Sequence, residues 1–151
     1  MRASDSRGTS CMNAIDTNVL VYAVDSLEPD KQSLAVEFLS SLANAATPVI
    51  LPWQVAVEFL ACLRRWESLK RVTREQTTAY LGQLEATYEI VFPTTAVLAL
   101  SLELSTRHSL SHWDSMLVAA CVETGVTRLY SEDLSAGATY DSVTVVNPFS
   151  S

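Results

Sequence analysis

The chain has 151 residues, 48% of them apolar, and a formal net charge of −7. This is enough for one well-filled core and too little for two domains. The acidic balance excludes broad, nonspecific attraction to nucleic acid, which draws on Lys and Arg contacts to phosphate. No apolar run approaches the roughly 20 residues that cross a bilayer, so a cytoplasmic protein with no membrane association is expected.

In chain order, Met1–Met12 is polar, without periodicity or an apolar signal core, and reads as a mobile extension (1–12) ahead of a single domain (13–151). A short strand is expected near Asn13–Asp16, then a helix from Thr17 and an amphipathic helix over about Asp30–Asn44. A strand near Pro48–Leu51 leads into a helix over Trp53–Glu67. Thr73-Arg74-Glu75-Gln76 fits a capping box that opens the next helix, ending near Thr87. A strand over Tyr88–Phe92 stops at Pro93, and helices over Thr95–Arg107 and Ser111–Thr124 follow, the second closed by Gly125. Strands Arg128–Tyr130 and Val143–Val146 finish the domain. Strands separated by helices predict an α/β fold, with a mainly parallel sheet of about four to five strands and helices on both faces. Ligands in such folds gather outside the carboxyl ends of the strands.

Four acidic residues stand where a solvent-seeking carboxylate has little reason to be. Asp16 closes the first strand and Glu58 interrupts the apolar run Val55–Ala61. Asp114 precedes the wholly apolar Met116–Val122, and Asp133 follows the fourth strand. Each has an ordinary explanation as well. Asp16 fits an N-cap, and Asp114 fits the third position of a capping arrangement from Ser111. Glu58 fits a narrow polar stripe, and Glu132 and Asp133 fit a turn. Their joint occurrence is what suggests a cluster of metal-binding oxygens.

The other chemistry-bearing residues are less pointed. Cys11, Cys62 and Cys121 are widely spaced with no C-x-x-C pair, which supports neither a zinc site nor a disulfide framework. Half of the ten basic residues (Arg64, Arg65, Lys70, Arg71 and Arg74) crowd one helix–helix connection, where a solvated helix end competes with a phosphate-binding patch. His108 and His112 read as polar residues of a connection. Trp53, Trp66 and Trp113 could stack bases, but within apolar patterns they read as core.

Asp16-Thr17-Asn18 after an apolar strand, Glu58 inside an apolar helix, Ser111-x-x-Asp114 before a buried helix, and Ser131-x-Asp133 after a strand together resemble the PIN-domain family. The closest likeness is to VapC-type toxin ribonucleases of bacterial toxin–antitoxin pairs, and it runs from Asn13 to Pro148. Ser115 and Ser131 stand where the family often has Ala and Thr.

The resemblance implies a metal-dependent endoribonuclease with Asp16, Glu58, Asp114 and Asp133 as metal-binding and catalytic carboxylates. Asp16 and Asp114 would be innermost, with Thr17, Asn18, Ser131 and Glu132 supporting them; apart from the resemblance, Arg107, on the approach to Asp114, could contact phosphate of an RNA. It also implies a structured RNA substrate such as tRNA or rRNA, a cognate antitoxin and a homodimer. Hard oxygen ligands suit Mg²⁺ or Mn²⁺. The antitoxin groove is expected on helices Trp53–Glu67 and Thr73–Thr87, through Phe59, Leu63, Trp66, Tyr80 and Leu84. Two other readings compete: a catalytically inactive interaction scaffold, or another metal-dependent phosphoesterase. A haloacid-dehalogenase-type phosphatase needs a second Asp where Asn18 stands.

Overall fold

The computed structural model describes residues 11–150. Most of the expected polar extension, residues 1–10, lies outside the described part. Met12 is already bound into the domain, its carbonyl accepting from the Thr127 amide at 2.9 Å.

Twelve elements follow one another: β1 (Asn13–Ile15), α1 (Thr17–Val24), α2 (Pro29–Ala43), β2 (Val49–Pro52), α3 (Trp53–Ser68), α4 (Arg74–Thr87), β3 (Glu89–Val91), α5 (Ala96–His108), α6 (His112–Thr124), β4 (Arg128–Tyr130), β5 (Thr139–Tyr140) and β6 (Val143–Val146). The sheet has six strands in the order β3-β2-β1-β4-β6-β5. All neighbours are parallel except the hairpin of β5 and β6. The expected α/β architecture is therefore present. The strand not anticipated is β5, a two-residue segment held by pairing with β6, too short for any period-2 pattern to announce.

Local chemistry explains where the helices begin and end. Pro29 sits in the first turn of α2, where its missing N–H costs nothing. The capping box of α4 is complete: the Gln76 amide donates to Thr73 Oγ1 at 3.1 Å, and the Thr73 amide donates to Gln76 Oε1 at 2.8 Å. Gly125 ends α6 at φ 89°, a left-handed position that glycine adopts without a Cβ penalty. Crossovers from β1 to β2 and from β2 to β3 run the same way along the sheet. By the right-handed rule α1–α4 therefore cover one face, while the return to β4 carries α5 and α6 over the other.

The core lies between these layers. Ile15, Leu51, Leu129 and Val145 from the strands, Leu63 from α3, Leu104 from α5 and Val118 from α6 are all fully buried. The apolar run in α6 is buried through its middle, Leu117–Cys121, while its ends Met116 and Val122 are half-buried. The thiols of Cys62 and Cys121 are likewise buried.

Candidate active site

The strand order reverses at β1. The chain moves from β1 outward through β2 to β3, then returns to place β4 on the other side of β1. A crevice opens at such a switch point beyond the carboxyl ends of the two strands. Asp16 follows β1 and Ser131 follows β4, so both emerge into that crevice. The Asp16 amide donates to the Tyr130 carbonyl at 2.8 Å and locks the two strand ends together.

Asp16 is only 7% exposed. One oxygen, Oδ1, accepts from the Thr17 amide at 2.7 Å and caps α1; the other, Oδ2, accepts from the Ser131 hydroxyl at 2.7 Å. The capping role and the site role therefore coexist on opposite oxygens. Burial pushes the carboxyl up to about 6; the bonds from Ser131 and Thr17 pull it down, and the nearby charges of Asp133 and Glu58 push it up again. Ser131 is fully buried, and its oxygen also receives the amides of Asp133 at 3.1 Å and Leu134 at 3.4 Å. This one hydroxyl therefore fixes Asp16 and the turn that carries Asp133.

Glu58, Asp114 and Asp133 line the same cleft as Asp16, a cavity of about 520 Å³. Glu58 comes from the middle of α3, and its Oε1 accepts from Thr17 Oγ1 at 2.9 Å. Asp114 stands in the first turn of α6, its amide donating to Ser111 Oγ at 3.3 Å, the capping arrangement the spacing predicted. Asp133 stands in the turn after β4. Four acidic residues distant in sequence thus face one cavity, and each keeps the local role that its flanking residues suggest.

The supporting residues divide. Thr17 and Asn18 line the cleft. Asn18 Oδ1 accepts from the Glu132 amide at 3.3 Å, while its Nδ2 is buried with no hydrogen-bond partner. The Glu132 side chain is otherwise engaged: Oε1 accepts from the Tyr22 hydroxyl at 2.8 Å, and Oε2 forms an ion pair with Lys31. Burial pulls its carboxyl up, but Lys31 and Tyr22 outweigh burial and hold it below the ordinary value. The chain contributes Glu132 to this site through its backbone.

Arg107 is not part of the cleft wall. It forks onto Asp141, with Nη1 to Oδ1 at 2.8 Å and Nη2 to Oδ2 at 3.3 Å. His108 and His112 are also outside the cleft, the first packed edge-on against Tyr140 and the second against Trp113. The Trp expectation needs correction. Trp66 is core at 5% exposure, but Trp113 is 63% exposed and Trp53 is 44% exposed, each lying in the first turn of its helix, at the edge of the packed layers.

The expected antitoxin groove is corrected in part as well. Phe59, Leu63, Trp66 and Leu84 are buried, because α3 turns this face towards α1, α4 and the sheet, and only Tyr80 is partly open.

Sequence reasoning left the opposite stripe of α3 unread. Gln54, Glu58, Ala61 and Arg65 recur at spacings of four, three and four, and all line the cleft. That helical repeat, counted outward from Glu58, could have singled out Arg65 within the basic cluster.

The donor set fits a hard divalent cation. All four acidic side chains present oxygen, and a buried carboxylate on the cleft floor carries the repulsion of two others. Among the described residues, no three His, Cys, Asp or Glu side chains already form a closed metal cage.

Comparison with known proteins bears on the fold and the family. No curated protein matches the chain by sequence. In three dimensions the chain is similar to VapBC2 from Rickettsia felis bound to a DNA fragment from its promoter, with a TM-score of 0.65 at 16% identity, covering 89% of this chain and 96% of that one. It is similar to Mycobacterium tuberculosis VapC20, described as a sarcin–ricin loop cleaving toxin, with a TM-score of 0.60 at 17% identity, covering 80% and 89%. A toxin–antitoxin complex from Klebsiella pneumoniae gives a TM-score of 0.63 at 15% identity, covering 91% and 98%. At these identities the likeness concerns the fold. The PIN domain model matches residues 14–139, a span that holds all four cleft carboxylates, and the chain belongs to the PIN domain family.

Proposed function

We propose that the protein is a Mg²⁺- or Mn²⁺-dependent endoribonuclease, the toxin of a toxin–antitoxin pair. The observation that carries this reading is the meeting of Asp16, Glu58, Asp114 and Asp133 in one cleft at the switch point. Asp16, with its pairing to Ser131, is the rigid member; Asp114, Glu58 and Asp133 would close on a cation from the walls. When bound, a divalent ion there activates water and offsets charge on the scissile phosphate. The chain's own residues would set the carboxylates in place: Ser131 and the Thr17 amide hold Asp16, and the Thr17 hydroxyl holds Glu58. Water attacking in line would leave a 5′-phosphate and a 3′-hydroxyl.

RNA as substrate and a cognate antitoxin as partner are supported by the character of the similar proteins, which include a sarcin–ricin loop cleaving toxin and a toxin–antitoxin complex. An acidic cleft would accept a cationic antitoxin segment. Among the described residues, no helix is long and apolar enough to cross a membrane, and a homodimer working in the cytoplasm completes the proposal. The test is cleavage of a labelled pool that includes tRNA and ribosomal fragments, run with Mg²⁺, with Mn²⁺ and with chelator, against Asp16→Asn and Asp114→Asn. Metal-dependent cuts absent from both variants establish the nuclease. No cleavage by folded wild-type protein across the pool moves the reading to an interaction scaffold.

A further inference from the structure

Four ion pairs form among the described residues, and three of them stand away from the carboxylate cleft. Arg71 pairs with Asp25 at 2.8 Å and lies over the Trp66 ring at 4.1 Å, Arg74 pairs with Glu67 at 3.0 Å, and Arg107 pairs with Asp141 at 2.8 Å. None of these paired residues lines the cleft. The fourth pair joins Lys31 to Glu132. Glu132 stands between Ser131, which donates to Asp16, and Asp133, which lines the cleft. That pair therefore acts on the turn that serves the site.

Lys31 reaches Glu132 from the first turn of α2, which Gln32 ties to α1 by donating from Nε2 to the Ala23 carbonyl at 3.3 Å. Its ammonium lies 4.8 Å from the centre of the Tyr22 ring and 4.5 Å from that of Phe149. Both distances suit cation–π attraction, and the two rings meet edge-on at 5.3 Å. Tyr22 lines the cleft, and its hydroxyl donates to Glu132 Oε1 at 2.8 Å while Lys31 takes Oε2. Phe149 comes from the other end of the chain. Its amide donates to Asn147 Oδ1 at 2.8 Å, a turn that directs the tail after β6. The Val146 carbonyl, just before that turn, accepts from the Ser131 amide at 3.0 Å. The C-terminal segment thus steadies the turn twice, through the Ser131 backbone and through Lys31.

Exposed ion pairs contribute little, but this one is half-buried and its acceptor is held at three atoms. The Glu132 amide donates to Asn18 Oδ1 at 3.3 Å, and both carboxylate oxygens are engaged. Asp133, the next residue, is held differently from Asp16 and Glu58, whose own oxygens accept from Thr17 and Ser131. Among the described residues the Asp133 carboxylate has no hydrogen bond or ion pair, and its amide donates to Ser131 Oγ at 3.1 Å. Its place in the cleft therefore follows from the turn that carries it. We propose that Lys31 is a positioning residue: set against Tyr22 and Phe149, it anchors Glu132 and so fixes where Asp133 meets a cation. This rests on the metal site proposed above. Charge and positioning oppose each other in sign here. By charge alone, removing Lys31 takes a repulsive neighbour from a cation site and tightens binding; by positioning, its removal loosens a ligand and weakens binding.

The test is calorimetric titration of the full chain with Mn²⁺, without RNA, on protein shown to be folded by circular dichroism. Wild type is compared with Lys31→Met, Lys31→Arg, Phe149→Ala, Glu132→Ala and the double variant Lys31→Met/Glu132→Ala. Arg74→Met, which breaks an ion pair away from the cleft, is the control. Lys31→Met should raise the Kd for Mn²⁺ roughly tenfold or more, the effect of losing a partner that orients a ligand. Lys31→Arg should restore most of the affinity, Phe149→Ala should weaken binding by a smaller factor, and Arg74→Met should leave it unchanged. Glu132→Ala should match Lys31→Met, and the double variant should be no weaker than Glu132→Ala alone, because Lys31 acts through Glu132. Phe149→Ala, which keeps both charges, decides the matter should Lys31→Met fail to fold. Unchanged or tighter binding in the folded variant overturns the proposal, as does a further loss in the double variant. Wild type that binds no Mn²⁺ overturns it together with the metal site, whereas wild type that binds Mn²⁺ and cuts no RNA defeats the nuclease reading alone.

Discussion

The floor and the walls of the cleft are built differently. On the floor, Asp16 and Ser131 are buried, joined at 2.7 Å, and positioned by strands β1 and β4 pairing from 115 residues apart. On the walls, Glu58, Arg65, Trp113 and Asp114 are partly or largely open and are placed by helical repeat and by capping. A floor residue carries both fold and chemistry, because its polar atoms have no water to fall back on. A wall residue can be dedicated to ligand, since solvent meets it when nothing else does.

Exchanging one carboxylate on each side is the sharpest challenge to this division. Asp16→Asn and Asp114→Asn should each lower metal-dependent RNA cleavage by roughly a thousandfold or more, several kcal/mol of metal-borne stabilisation. Their stabilities should differ. In chelator, wild type should lose stability as pH rises from about 4 through 6, because the folded carboxyl of Asp16 binds its proton up to about 6 whereas the ordinary value is 3.8. That contribution is complete below 3.8 and gone above 6. Thermal melts across this range should show the slope in wild type and Asp114→Asn and lose it in Asp16→Asn. An identical slope in all three would place the buried charge elsewhere.

Tryptophans give the next comparison. Trp66→Ala empties a core site and should cost about 3–5 kcal/mol by denaturant unfolding, whereas the exposed Trp113→Ala should stay within about 0.5 kcal/mol. Comparable losses would mean that Trp113 is packed in solution.

Ser131→Ala follows, leaving Asp16 Oδ2 without its donor and two amides without their acceptor. A loss of about 1–3 kcal/mol should accompany a fall in metal affinity of roughly 10–100-fold, measured by calorimetric titration. Stability and affinity moving independently would break the link between fold and chemistry on the floor.

The smallest effect is expected far from the cleft. The Arg107 guanidinium beside Asp141 holds that carboxyl below its ordinary value of 3.8, so the pair's contribution is present above pH 4 and lost as pH falls through the lowered folded value. Arg107→Ala should remove this acid-side dependence from the melting curve and leave cleavage unchanged. A loss of cleavage would restore Arg107 to the RNA path.

Periodicity and capping chemistry by themselves determined the helices, the parallel core strands and the four acidic positions. These signals are local: a Thr–Gln capping box, a glycine at the end of α6 and an apolar run around a single Glu each act within one or two turns. The heptad-like stripe through Gln54, Glu58, Ala61 and Arg65 was equally local, and was legible once Glu58 was taken as its origin. Other features depended on partners far along the chain. β5 exists only because β6 offers an edge, the Ser131–Asp16 bond exists only because β4 returns beside β1, and the pairing of Arg71 and Arg74 away from the cleft depends on where Asp25 and Glu67 lie. The tryptophans make the same distinction. Trp66 is core although charged residues flank it, Trp53 is open although Leu51, Pro52 and Val55 surround it, and Trp113 is open beside Asp114, so the packing of helices around the sheet decided which tryptophan is buried.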